Sequence, residues 1–133
     1  MKKDIEMPKV EGVEVAVVKE ETLGDDNWKV YLLNKNNFPI DNVLVSSKGY
    51  GKIKGEQRKT SILRHMIGRI DARDYALIEP IDSQVLVLTN EYWVSYYIGR
   101  KIYDKKYVFL AESITDDNLI DIGLIGKRGV LHA

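Results

Sequence analysis

The feature that most restricts this chain is a two-residue rhythm. In Val13-Glu14-Val15-Ala16-Val17-Val18 every odd position is valine, which in an extended backbone gives one apolar face for a core. Trp28, Val30 and Leu32 repeat the pattern, and Trp28 is the natural anchor of that core. β-Branched and aromatic residues fill these runs. Turn formers separate them, in Gly24-Asp25-Asp26-Asn27, Asn34-Lys35-Asn36-Asn37 and Asp71-Ala72-Arg73-Asp74.

Further runs follow the same logic. Residues 40–47 centre on Val43-Leu44-Val45. Tyr75-Ala76-Leu77-Ile78-Glu79 stops at Pro80, which cannot donate to a ladder and so marks a strand end or an edge. Residues 91–98 and 101–110 are joined by Gly99-Arg100, a glycine-first connection suited to a type II′ hairpin. Residues 57–67 carry strand formers and also a helical stripe (Ile62, Leu63, Met66, Ile67, Ile70); beside so many strands they are expected to form an edge strand. Val85 to Leu88 is short enough to serve only as a bridge between sheets.

The sum is about seven strands with turn signals at intervals of roughly 8 to 20 residues, the pattern of an immunoglobulin-like β-sandwich. The Cys…Trp…Cys signature is missing, so the likeness is one of pattern alone. Residues 1–112 are expected to form the sandwich. Residues 113–133 form a C-terminal tail whose apolar run, from Leu119 to Leu131, adds an edge strand or packs against another subunit.

Composition narrows the chemistry. A chain of 133 residues fits one domain and can bury a core without staples. Cysteine is absent, which removes disulfides, thiolate nucleophiles and thiolate zinc sites. Lys2-Lys3 could open a secretory leader, but Asp4, Glu6 and Pro8 break the apolar stretch that should follow. With no long apolar segment, a soluble chain without a membrane span is expected, and a cytoplasmic location is slightly favoured. The two histidines, His65 and His132, sit in an uncertain edge element and at the penultimate position, and no G-x-S-x-G elbow accompanies them. Asp116-Asp117-Asn118 with Asp121 is the densest oxygen cluster, but it lacks calcium-loop spacing and reads as a turn or cap. Gly123 to Arg128 echoes a phosphate loop without its first glycine or its Ser/Thr. No metal, no cofactor and no catalytic residue is expected.

Net charge is zero, but its placement is uneven. Residues 1–27 hold eight acids against four lysines, and residues 48–73 hold eight bases against two acids. Within the basic stripe, Lys48-Gly49-Tyr50-Gly51 matches the opening of the RNP1 element of RNA readers. RNP1 works by stacking bases on aromatic platforms at its third, fifth and eighth positions. Here the fifth and eighth are Lys52 and Gly55, leaving Tyr50 alone. Nucleic acid is therefore an unlikely partner; the remaining option is an unspecific polyanion surface of Lys48, Tyr50, Lys52, Lys54 and Arg58. Solvation, or neutralisation by the acidic N-terminal stretch, is the plainer reading of the stripe.

Seven of the twelve aromatic residues fall between 91 and 109. Tyr92, Val94, Tyr96 and Ile98 share one face of the first strand, and Trp93, Ser95 and Tyr97 the other. Tyr103, Tyr107 and Phe109 alternate along the second strand, where Asp104-Lys105-Lys106 could hold a bulge that shifts the register. Both faces want cover. One serves a core; the other suits recognition, because Tyr and Trp bury area at little entropic cost. The expected role is thus a non-catalytic module that binds a protein or associates with itself through Trp93, Tyr97, Tyr103 and Tyr107. A small-ligand or carbohydrate site around Trp93 is the alternative, and the polyanion stripe the next.

Overall fold

The computed structural model of the protein describes residues 8–22 and 25–133. Lys2-Lys3 and Gly24 lie outside them. Ten strands form two antiparallel sheets packed face to face, an all-β sandwich. The strands are β1 (Val13–Thr22), β2 (Asp25–Asn34), β3 (Ile40–Ile53), β4 (Glu56–Lys59), β5 (Leu63–Ile70), β6 (Asp74–Ile81), β7 (Thr89–Ile98), β8 (Lys101–Phe109), β9 (Ile120–Ile122) and β10 (Lys127–His132). The first sheet has the order β6-β2-β1-β10-β9. The second has the order β4-β3-β7-β8, with β5 on the same edge of β3 as β4 but further along.

The alternation that governed the sequence reading governs the core. Val13, Val15, Val17, Trp28, Val30 and Leu32 point inward from the first sheet and meet Val43, Val45, Tyr92, Val94, Tyr96, Tyr107 and Phe109 from the second. The stretch 57–67, expected as one edge strand, is extended but split: Glu56–Lys59 and Leu63–Ile70 are separate strands along one edge of β3, broken at residues 60–62. Pro80 lies on β6, which pairs with β2 alone. Gly99 has φ +60° and Arg100 is not left-handed, the signature of a II′ turn.

Several expectations need correction. The strands number ten because β4, β9 and β10 join the seven anticipated. Asp25, Asp26 and Asn27 continue β2 instead of turning, since the β1–β2 ladder runs on to the pair Thr22↔Asp25. Val85 to Leu88 is no strand, in keeping with a short bridge: Val85 ends a 3-10 turn at Ser83–Val85 capped by Asp82. The β7–β8 ladder keeps one register from Ile98↔Lys101 to Asn90↔Phe109, so Asp104-Lys105-Lys106 holds no bulge. β10 is an interior strand between β1 and β9, and the C-terminal stretch completes the first sheet. His132 is accordingly no frayed end: it pairs with Val15 and lies edge-on to Tyr107 and Phe109.

The two sheets differ in what covers their outer faces. Behind the first sheet lies a second apolar cluster of Ala16, Val18, Tyr31, Leu33 and Ile122, closed by Leu124 and Ile125 from the β9–β10 turn. This is why β1 and β2 are apolar on both faces. Nothing comparable covers the second sheet among the described residues. The free edges are blunted: β6 by Pro80, β9 by its three-residue length, β4 by four exposed polar residues, β5 by the register shift opposite Val43 and by Arg64 and Arg69, and β8 by Lys101, Lys105 and Lys106.

Candidate functional site

The uncovered face of the second sheet is built by alternation. Outward positions are Leu44, Ser46, Lys48 and Tyr50 on β3, Arg64 and Met66 on β5, Glu91, Trp93, Ser95 and Tyr97 on β7, and Ile102, Asp104 and Lys106 on β8. Cross-strand pairing sets Met66 against Leu44 and Tyr97 against Ile102. These four side chains are the walls of a groove of about 540 Å³ open to solvent. Met66 is 88% exposed, Leu44 48% and Ile102 43%. Four large apolar groups are thus left together in water on one side of the sheet.

Beside this groove the face turns polar. Trp93, 46% exposed, donates its indole N–H to Asp104 and lies under the Lys106 ammonium, 5.2 Å from the ring centre. Glu91 is buried at its base and takes Lys48 at 3.5 Å and Lys106 at 3.8 Å. The indole is held by its neighbours, so little rotamer freedom remains to be lost on contact.

Of the tyrosines expected beside Trp93, Tyr97 shares its face, 37% exposed. Tyr103 and Tyr107 do not. Tyr103 stacks on Tyr96, with centroids 5.2 Å apart, on the inward side. Tyr107 is fully buried and donates its hydroxyl to the Val13 carbonyl. With the register unbroken, both belong to the core face. Leu44, Met66 and Ile102 were not expected at the site, because each reads as one more apolar residue of its own strand, Leu44 between Val43 and Val45 and Met66 before Ile67, and only pairing brings them together.

Three members of the basic stripe are ion-paired. Lys48 pairs with Glu91, Arg58 with Glu56, and Arg69 with Asp71 and Asp41. The acids near the N-terminus find other partners: Glu20 takes Lys29 and Lys127, and Glu14 takes Lys35. The RNP1-like letters have a structural cause. A Cβ on Gly49 would come within 3.2 Å of Asn90 Oδ1 and 3.3 Å of Thr60 Cγ2. Lys54 and Gly55, both with positive φ, make the two-residue β3–β4 turn. Lys48 and Tyr50 face outward beside Glu91, while Lys54 and Arg58 belong to that turn and to β4.

A second site lies at the rim, where β6 of the first sheet approaches β3, β5 and β7 of the second. A bulge in the β2–β6 ladder sets both Ile78 and Glu79 on the inward side, so the next paired residue, Glu79, faces the core side opposite Val30. Its Oε1 accepts from Ser47 Oγ at 2.7 Å and contacts His65 Nε2 at 2.7 Å; its Oε2 accepts from the Tyr92 hydroxyl at 3.3 Å. Burial, then the Glu79 charge, pushes the Tyr92 phenol far above its usual range, which keeps it a donor. Serine, histidine and carboxylate therefore meet at this rim. The order differs from a hydrolytic triad: Ser47 and His65 bond the same carboxylate oxygen, so the serine proton is held by Glu79 and not by imidazole. Ser47 is also buried, 4% exposed.

Asp116 reaches Lys19 at 2.9 Å, and among the described residues no group of three or more His, Cys, Asp or Glu could hold a metal ion. No helix among them is long and apolar enough to cross a membrane. No family model, no curated protein and no solved structure matches the chain.

Proposed function

We propose that the protein is a binding module of immunoglobulin-like type that works without catalysis and joins a second copy of itself through the outer face of its second sheet. The observation that carries this is the unequal cover: Leu124 and Ile125 close over the outer face of the first sheet and leave Tyr75 and Leu77 of β6 partly in water, while the second sheet leaves Leu44, Met66, Tyr97 and Ile102 in water beside a pinned Trp93. The strand orders β6-β2-β1 and β5-β3-β7-β8 suit an immunoglobulin-like arrangement, with β9 and β10 added beside β1.

A second copy is favoured by charge. Around Trp93 three cations, Lys48, Arg64 and Lys106, stand with two acids, Glu91 and Asp104, within one charge of balance. The chain as a whole has no net charge. Such a face meets its own twin with little repulsion, and a two-fold axis lets the groove of one copy receive the aromatic rim of the other. Four strands about 4.8 Å apart and some eight residues long give roughly 500 Å² in plan, and side-chain relief carries that toward the ~800 Å² per partner of a standard interface. The blunted edges argue against strand-to-strand joining and leave the face as the route.

Sedimentation velocity on the full chain tests this. The expected result is a mass that rises to twice 15.2 kDa with concentration, and a Leu44→Asp variant that stays single while remaining folded. A wild-type chain that stays monomeric at every concentration overturns it.

A further inference from the structure

The rim cleft holds about 210 Å³ between the sheets. Its walls are largely apolar, formed by Leu63, Pro80, Ile81, Val85 and the Tyr92 ring. Hydroxyls of Thr60 and Ser61 stand at its edge, and three further side chains, Glu79, Asn90 and Asp82, bring acceptor oxygens to it. Glu79 has two oxygens with about two acceptor positions each. Ser47 and His65 fill Oε1, but Oε2 has only the long Tyr92 bond, so one position remains open. On the same wall Asn90, 4% exposed, donates its amide to the Val85 and Leu88 carbonyls, which turns its Oδ1 toward Gly49 with no donor on it among the described residues. Asp82 adds a second carboxylate at the mouth. Lys48 lines the cleft, yet its ammonium lies 3.5 Å from Glu91, which faces outward.

A carboxylate aimed inward by a bulge is not an accident of an edge strand. Bulges recur where a side chain must be re-aimed, and a straight β6 would present Glu79 to solvent. Burying an ionised carboxylate is costly unless donors surround it, and here the surround is one donor short.

We infer that this cleft binds a small organic cation, an ammonium carried on a compact apolar body, with the ammonium donating to Glu79 Oε2 and the body against Ile81, Val85 and Leu63. Size sets the body: a cavity of about 150 Å³ accepts benzene, so 210 Å³ takes one ring with a short arm. The site is separate from the face proposed for self-association, since Glu79 and Trp93 lie on opposite sides of the second sheet.

Titration of the full chain with benzylammonium, followed by amide chemical shifts, tests this, with benzyl alcohol as the neutral twin. Saturable shifts at Ser47, Leu63, Glu79 and Asn90 are expected with benzylammonium, about tenfold or more weaker binding with the alcohol, and a similar loss in Glu79→Gln. Trp93→Ala should bind as the parent does. Equal binding of ammonium and alcohol to the unaltered chain overturns the inference without relying on any variant, and so does the absence of shifts at these residues.

Discussion

Tyr96 carries a fully buried hydroxyl without a partner among the described residues. Its ring is well placed, stacked on Tyr103, but its hydroxyl has nothing to bond. A buried polar group left unmade costs about 1–3 kcal/mol. Tyr96→Phe keeps the ring and removes the orphan, so it should raise unfolding free energy by about 1 kcal/mol in a denaturant titration; a loss of that size would show that the hydroxyl has a partner. Glu20 illustrates the opposite case. Lys29, then Tyr31, hold its carboxyl below the usual range. A depressed carboxyl stabilises the fold above its unfolded value of about 4.5 and stops doing so as pH falls through its lower folded value. Glu20→Gln should flatten that acid limb of a stability-against-pH curve, by a modest amount because the cluster lies near the surface. Sequence could place Tyr96 on the core face. It could not show that its hydroxyl lacks a partner, because that depends on which rings stack across β7 and β8.

Among the elements, the β7–β8 hairpin was the most legible. Its two strands, the faces of β7 and the turn follow from alternation and from glycine at the first turn position, whereas the face of Tyr103 and Tyr107 on β8 hung on a register that Asp104-Lys105-Lys106 left open. Gly99 sits at φ +60°, where a side chain is strained. Gly99→Ala should cost about 1 kcal/mol in the same titration with no change in the slope; a neutral result would mean the turn relaxes to another type. The tail was less legible. Leu119 to Leu131 is visibly apolar, but short strands split by Gly123 and Gly126 give no sign of which neighbour they join. β10 fills the gap between β1 and β9, and a Cβ on Gly129 would meet the Val17 carbonyl at 2.8 Å. Cutting the chain after Ser113 should therefore yield an unfolded product by circular dichroism, not a smaller stable sandwich. Least legible was the β6 bulge. Glu79 before Pro80 looks like the polar end of a strand, and only the slip between Leu77 and Glu79 turns it inward.

At the scale of the whole molecule, burial divides the eight tyrosines. Tyr31 is pushed up to about 12 by burial and then by its bond to Glu20, and Tyr92, Tyr96 and Tyr107 are driven higher, each mainly by burial. A raised phenol stabilises the fold fully below its unfolded value of about 10, and that contribution is lost as pH climbs toward and through the folded values. Phenolate absorbance should accordingly rise in two stages, the second coinciding with loss of structure; a single reversible stage for all eight would contradict the burial described here. The same inside-outside division defines the interface. Trp28 is sealed, whereas Trp93 and Tyr97 remain in water with Leu44, Met66 and Ile102. Their patterning in sequence marks a strand face, but only the absence of a covering layer marks that face as unsatisfied.

Mapping amide chemical shifts of the full chain against its own concentration tests that face most directly. Concentration-dependent shifts at residues 44, 66, 93, 97 and 102, with β6 and β9 unmoved, are the predicted result. Shifts confined to the sheet edges, or none at any concentration, would contradict it.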